Sequence, residues 1–144
     1  MAVRAKFGKM TREGFFVDTG AWFAYINAGD PDHRRVRQFF DHSSGRLVTT
    51  SYVFDKAITL TLARLGHQRA LLVGKTLLDP GVVEMIHVTP ADEKAAWALF
   101  EKRGDKFYSF TDCTSFVIMR RRKLSVAVTL DRHFSQEGFQ VVPE

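Results

Sequence analysis

From residue 14 onward, short apolar runs rich in β-branched and aromatic residues trade places with stretches whose apolar positions recur every three to four residues. FFVD, RLVTT, VVEMIHV, SVAVTL and GFQVV read as strands. AWFAYI, PDHRRVRQFFDH from its Asp30-Pro31 start, TTSYVFDKAITL, GHQRALLVGKTLL and SFTDCTSFVIMRRRK read as helices. One more helix opens at Thr89-Pro90-Ala91-Asp92, which combines an N-cap, proline at the first helical position and a capping-box acid. Strands alternating with helices, with no internal repeat and no linker-like stretch, predict one α/β domain with a mainly parallel sheet covered on both faces. The opening MAVRAKFGKMTRE is basic and aperiodic, so it reads as an N-terminal tail, 1–13, ahead of a single domain over 14–144.

The helix after TTS carries two stripes. A 3.6-residue wheel predicts Phe54, Ile58, Leu62 and Leu65 on the buried face. Tyr52, Lys56, Thr59 and Ala63 then share the opposite stripe, facing water or a cleft.

Composition narrows the classes. With 144 residues, 45% of them hydrophobic, the chain suits one sizeable core. The single cysteine, Cys113, cannot form an internal disulfide, and no signal-like segment precedes the domain, so a reducing cytoplasm is the expected setting. No apolar run approaches the roughly 20 residues of a membrane-spanning helix. A net charge of +5 is compatible with polyanionic partners. The RRRK run at 120–123 reads first as a solvated helix end whose cations suit the negative end of the dipole. The five histidines show no zinc-ligand spacing and are assigned no chemistry, and Cys113 reads as a packed thiol.

In open parallel sheets, ligands bind beyond the carboxyl ends of the strands, where the strand order reverses. Asp18 ends the first strand, Asp131 ends the penultimate one, and Asp112 lies in the first turn of the helix leading into the latter. Each has a purely structural alternative: a helix cap for Asp18, an Asx-turn for Asp131, and a capping box with Ser109 for Asp112. Their coincidence at one sheet edge favours chemistry. Converging carboxylates repel, and Mg²⁺ or Mn²⁺ suits an oxygen-only set able to hold a phosphodiester and activate water. Thr129 is placed to support the site through its hydroxyl, with an ordinary β-branched strand residue as the plainer account. Asp105, in RGDKFYS, could support the acids from behind, with a turn residue as the favoured account.

FVDTGAWFA, TTSYVFDKAITL, YSFTDCTSFVIM and TLDRHF followed by GFQVVP together resemble the PIN-domain ribonucleases, in particular the VapC-type toxins of toxin-antitoxin pairs. The resemblance spans about 14–143. It implies a PIN-like three-layer α/β/α sandwich with about five strands and a Mg²⁺ or Mn²⁺ site built from about four acids. It also implies endonucleolytic cleavage of RNA, a cognate antitoxin, and an antitoxin segment or second copy (a homodimer) against the aromatic residues Trp22, Phe23, Tyr25, Phe39 and Phe40. Core packing is the first expectation for most of these rings.

Asp18, Asp112 and Asp131 match three of the implied acids, both as metal ligands and as catalytic residues. The fourth position carries Lys56, and the neighbouring Asp55 points about 100° away around the helix. The exchange changes the local charge by two units, and one pair of unit charges at about 4 Å is worth roughly 4 kcal/mol at an effective dielectric near 20. The expectation is that the Lys56 ammonium reaches toward Asp18 or Asp112, partly stands in for the cation and lowers activity, the alternative being that it snorkels to water and touches none of the acids. A catalytically silent RNA-binding or antitoxin-binding module is the alternative. Gly20, where a second acid would be needed, argues against a haloacid-dehalogenase-like phosphotransferase.

Overall fold

Phe15, Phe16 and Val17 are three consecutive large apolar residues, and only a strand covered on both faces can bury all of them. In the computed structural model, which describes residues 14–144, they form β1 (Phe15–Val17), fully buried at the centre of a five-stranded parallel sheet. β2 (Leu47–Thr50), β3 (Val83–Ile86), β4 (Val126–Val128) and β5 (Gln140–Val142) complete the order β3-β2-β1-β4-β5. Phe15 pairs with Leu47 on one side, and Val17 pairs with Val128 on the other. The chain therefore fills one half of the sheet, returns to the centre and fills the other.

Among the described residues, seven helices accompany the strands: α1 (Thr19–Ile26), α2 (His33–His42), α3 (Ser51–Leu65), α4 (His67–Leu77), α5 (Pro90–Lys102), α6 (Phe110–Arg121) and α7 (His133–Gln136). Neighbouring side chains on a strand point to opposite faces. Phe15 meets Phe39 of α2 while Phe16 stacks on Phe134 of α7, so both faces are covered and the layers are α/β/α. No helix among the described residues is long and apolar enough to cross a membrane. The expected tail, 1–13, lies outside the described residues.

Three expectations change. α2 begins at His33, two residues later than its proline suggests, because Asp30 closes a preceding turn by accepting the Asp32 N–H at 2.8 Å. α3 buries Val53, Ala57 and Thr61, whereas Phe54 and Ile58 are half-buried and Leu62 is exposed. The helix has two packing partners: its small residues face the body of the domain, and the larger apolar ones line a groove shared with Ala70, Leu71 and Gly74 of α4. A wheel ranked by hydrophobicity selects the wrong stripe in that situation.

The RRRK run is also more structural than solvated. Arg121 makes a two-pronged pair with Asp92 of α5 at 3.0 and 2.9 Å, Arg122 reaches Glu84 of β3 at 2.8 Å, and Arg120 reaches Glu137 after α7 at 3.0 Å. Trp22 and Phe23 are buried, and Phe40 stacks on Trp22 and meets Tyr25 edge-on, so the aromatic residues of α1 and α2 largely pack on one another as expected.

Candidate active site

Asp18 follows β1 directly, and its N–H continues the ladder by donating to the Val128 carbonyl at 3.0 Å. The sheet order reverses between β1 and β4, which places this acid at the switch point. Although Asp18 occupies the N-cap position of α1, its side chain makes no capping bond there. It accepts instead from the Thr129 hydroxyl at 3.0 Å. Burial pushes its carboxyl up to about 6, and the charges of Asp112 and Asp131 push the same way, against the downward pull of the Thr19 backbone N–H and the Thr129 hydroxyl.

Thr129 does more than fill a strand position. Its oxygen donates to Asp18 and accepts the Asp131 N–H at 3.0 Å, tying together two acids that arrive from opposite halves of the chain. Asp131 forms the Asx-turn, its Oδ1 accepting the His133 N–H at 2.9 Å. Asp112 forms the capping box, exchanging bonds with the Ser109 backbone and hydroxyl, each at 3.0 Å. Both structural alternatives are thus real. They orient the carboxylates without excluding chemistry, because all three acids still line one open cleft of about 650 Å³.

His133 is the residue that sequence reasoning missed, since it was assigned no chemistry. Its Nδ1 lies 3.0 Å from Asp112 Oδ2 and 3.3 Å from Asp131 Oδ2. The side-chain donor atoms of Asp112, Asp131 and His133 fall within 4.8 Å of one another, an assembly that could hold a cation, while Asp18 lies outside this tight group but in the same cleft. Only the two-residue offset from Asp131 in LDRH, placing both on one turn, hints at this in the sequence. An imidazole N–H between two carboxylates also eases their repulsion.

Lys56 lines the cleft from α3, as its stripe suggests. Its stripe-mates do not: Tyr52 turns to Glu93 of α5, and Thr59 and Ala63 are exposed outside the cleft. The expected ammonium contact with Asp18 or Asp112 is not formed, because Lys56 is exposed and makes no ion pair among the described residues. Asp55 belongs to the α3/α4 groove instead. Cys113 is fully buried with its thiol pushed up to about 11 by burial, which suits packing and not nucleophilic attack.

The donor set fits a hard divalent cation in one further respect. Thr19 Oγ1 is buried, lines the cleft and has no hydrogen-bond partner. Buried hydroxyls are seldom left in that state. An oxygen-seeking ion or its water would satisfy it and relieve the crowding of charge around Asp18.

A PIN domain model matches residues 15–139. The 23S rRNA-specific endonuclease VapC20 of Mycobacterium tuberculosis is 35% identical over 130 residues, covering 90% of this chain and 98% of that protein. Ribonuclease VapC26 of the same organism is 32% identical over 120 residues, 83% of this chain and 88% of that one. The crystal structure of the Mycobacterium tuberculosis VapC20, a sarcin-ricin loop cleaving toxin, matches with a TM-score of 0.86 at 33% identity, covering 90% of this chain and 99% of that chain. FitAcB from Neisseria gonorrhoeae shares the fold at a TM-score of 0.65 and 12% identity, over 90% and 96% of the two chains. With a three-acid cleft at the switch point of a five-stranded parallel sheet, and with nine-tenths of its length matched by VapC20, the chain belongs to the PIN-domain family and within it to the VapC-type toxins.

Proposed function

We propose that this protein is a metal-dependent endoribonuclease, the toxin of a toxin-antitoxin pair, acting through Asp18, Asp112 and Asp131 and held to low activity by Lys56. The observation that carries this reading is the meeting of three acids from distant segments in one cleft, with Thr129 bridging two of them. The relatives named as endonuclease and ribonuclease supply the reaction class.

Asp18, Asp112 and Asp131, with the unpartnered Thr19 hydroxyl, would hold Mg²⁺ or Mn²⁺. Bound there, such an ion supplies charge neutralisation for a phosphodiester and a more acidic water. The chain's own residues do the positioning. His133 keeps Asp112 and Asp131 side by side, Thr129 fixes Asp18 relative to Asp131, and the exposed Arg132 and Lys56 at the cleft present cations to RNA phosphates. A cognate antitoxin and a second copy of the chain are the protein partners that this reading implies.

Lys56 supports one competing account, a silent RNA- or antitoxin-binding module, because a cation stands where the family places an acid. Cleavage of a mixed RNA substrate in Mg²⁺ or Mn²⁺ separates the two. Lys56→Glu is expected to raise the rate at least about tenfold, since it exchanges repulsion of the metal for attraction. Adding Asp18→Asn should abolish that gain. No cleavage by either the parent or Lys56→Glu would leave the binding module as the correct account.

A further inference from the structure

Phe107 stands at the same cleft and is not explained by stability. It is 89% exposed, the most exposed large apolar side chain among the described residues, and its ring has no aromatic or cationic partner. Its backbone lies in the left-handed region, φ 59°, which glycine or asparagine adopts far more readily than phenylalanine. A residue that buries nothing and sits on unfavourable backbone is costly to the fold at both levels.

Its surroundings hold it there. The next residue, Tyr108, is buried, donates to Glu137 at 2.8 Å and packs edge-on against His133 at 5.2 Å. Ser109 then caps α6 and orients Asp112. The backbone on the α6 side of Phe107 is therefore tied to the acidic centre, and Phe107 lines the cleft with Asp112, Asp131, Lys56 and Arg132.

We infer that Phe107 is a base-stacking platform that receives an unpaired nucleobase of the RNA next to the phosphate held over the acids. This rests on the nuclease reading above. Aromatic rings accept the face of any base, and unpaired RNA offers such faces. The exposed cations Lys56 and Arg132 in the same cleft complement the phosphates on either side of a stacked base, which favours RNA over an apolar protein segment as the occupant.

The test uses the full chain and a fluorescein-labelled single-stranded oligoribonucleotide of mixed sequence carrying 2-aminopurine, titrated in Mg²⁺ beside Phe107→Ala, Phe107→Leu and Phe107→Trp. Stacking predicts quenching of 2-aminopurine by the parent and by Phe107→Trp but not by Phe107→Leu. It also predicts binding weakened roughly tenfold in Phe107→Ala and kept within about twofold in Phe107→Trp. Thermal melts of all variants should be unchanged or raised, because the ring supports no core. If Phe107→Leu binds and quenches like the parent, the contact is merely apolar and the assignment is overturned. If Phe107→Ala binds as tightly as the parent while Lys56→Glu cleaves RNA, the stacking role falls and the nuclease reading stands. If the chain binds no RNA and Lys56→Glu cleaves none, both fall together.

Discussion

Asp18 is the acid for which folding and chemistry pull hardest against each other. Its carboxyl, pushed up to about 6 from an ordinary value of 3.8, binds a proton more tightly in the folded chain than in the unfolded one. Between those values the native state carries the extra proton, so this group's contribution to stability falls as pH rises from about 4 to about 6 and stays lost above that. Asp18→Asn should therefore stabilise the metal-free protein at pH 7 by up to roughly 3 kcal/mol while removing cleavage. Urea unfolding at pH 4 and pH 7 measures the first effect, and the difference between variant and parent should nearly vanish at the lower pH. The acids themselves were legible in the sequence because strand ends and helix starts mark the edge where ligands bind. Thr129 and His133 were harder to read, since their roles exist only once β1 lies beside β4 and the turn after Asp131 faces α6.

At the scale of elements, the site depends on α6 and α7 being held at fixed positions. Ser109→Ala removes the cap of α6 and should cost about 1 kcal/mol. It also loosens the backbone that aims Asp112, so cleavage by Lys56→Glu should fall by more than its thermal shift accounts for. Glu137 anchors the end of α7 by accepting from Arg103, Arg120 and the Tyr108 hydroxyl at 2.8 to 3.0 Å. These donors hold its carboxyl down at about 2, despite the opposing effect of burial. A lowered carboxyl contributes stability above about 4.5 that disappears as pH falls toward 2. Glu137→Gln should cost about 3 kcal/mol at pH 7 and flatten the acid limb of a circular-dichroism titration. Periodicity and, for α5, cap signals located six of the seven helices among the described residues. α7, with four residues, is too short to show a period, and the buried stripe of α3 was misread because two partners compete for that helix.

Across the whole molecule, the positive charge is divided between structure and surface. Arg120, Arg121 and Arg122 are committed to acids on other elements, so the most basic stretch of the described chain is not a free phosphate-binding surface. Arg121→Ala is expected to lower the melting temperature and leave RNA affinity within about twofold, whereas Arg132→Ala should weaken RNA binding and reduce its salt dependence by about one unit of slope. Melting curves and binding at several salt concentrations, run on both variants, check this division. The parallel sheet and the position of its cleft followed from the alternation of strands and helices. Which cations remained free depended on pairings between residues far apart in the chain.

The bond from Thr129 to Asp18 spans 111 positions, and it joins the central strand to one laid down after nearly everything else. During synthesis, β1, β2 and β3 can associate while α6 and β4 are still inside the ribosome. The cleft does not exist at that stage, because Asp112, Asp131 and His133 have not emerged. A cleft whose acids come from both ends of the chain is thereby assembled only when its last strands are released, a delay imposed by the order of the chain alone.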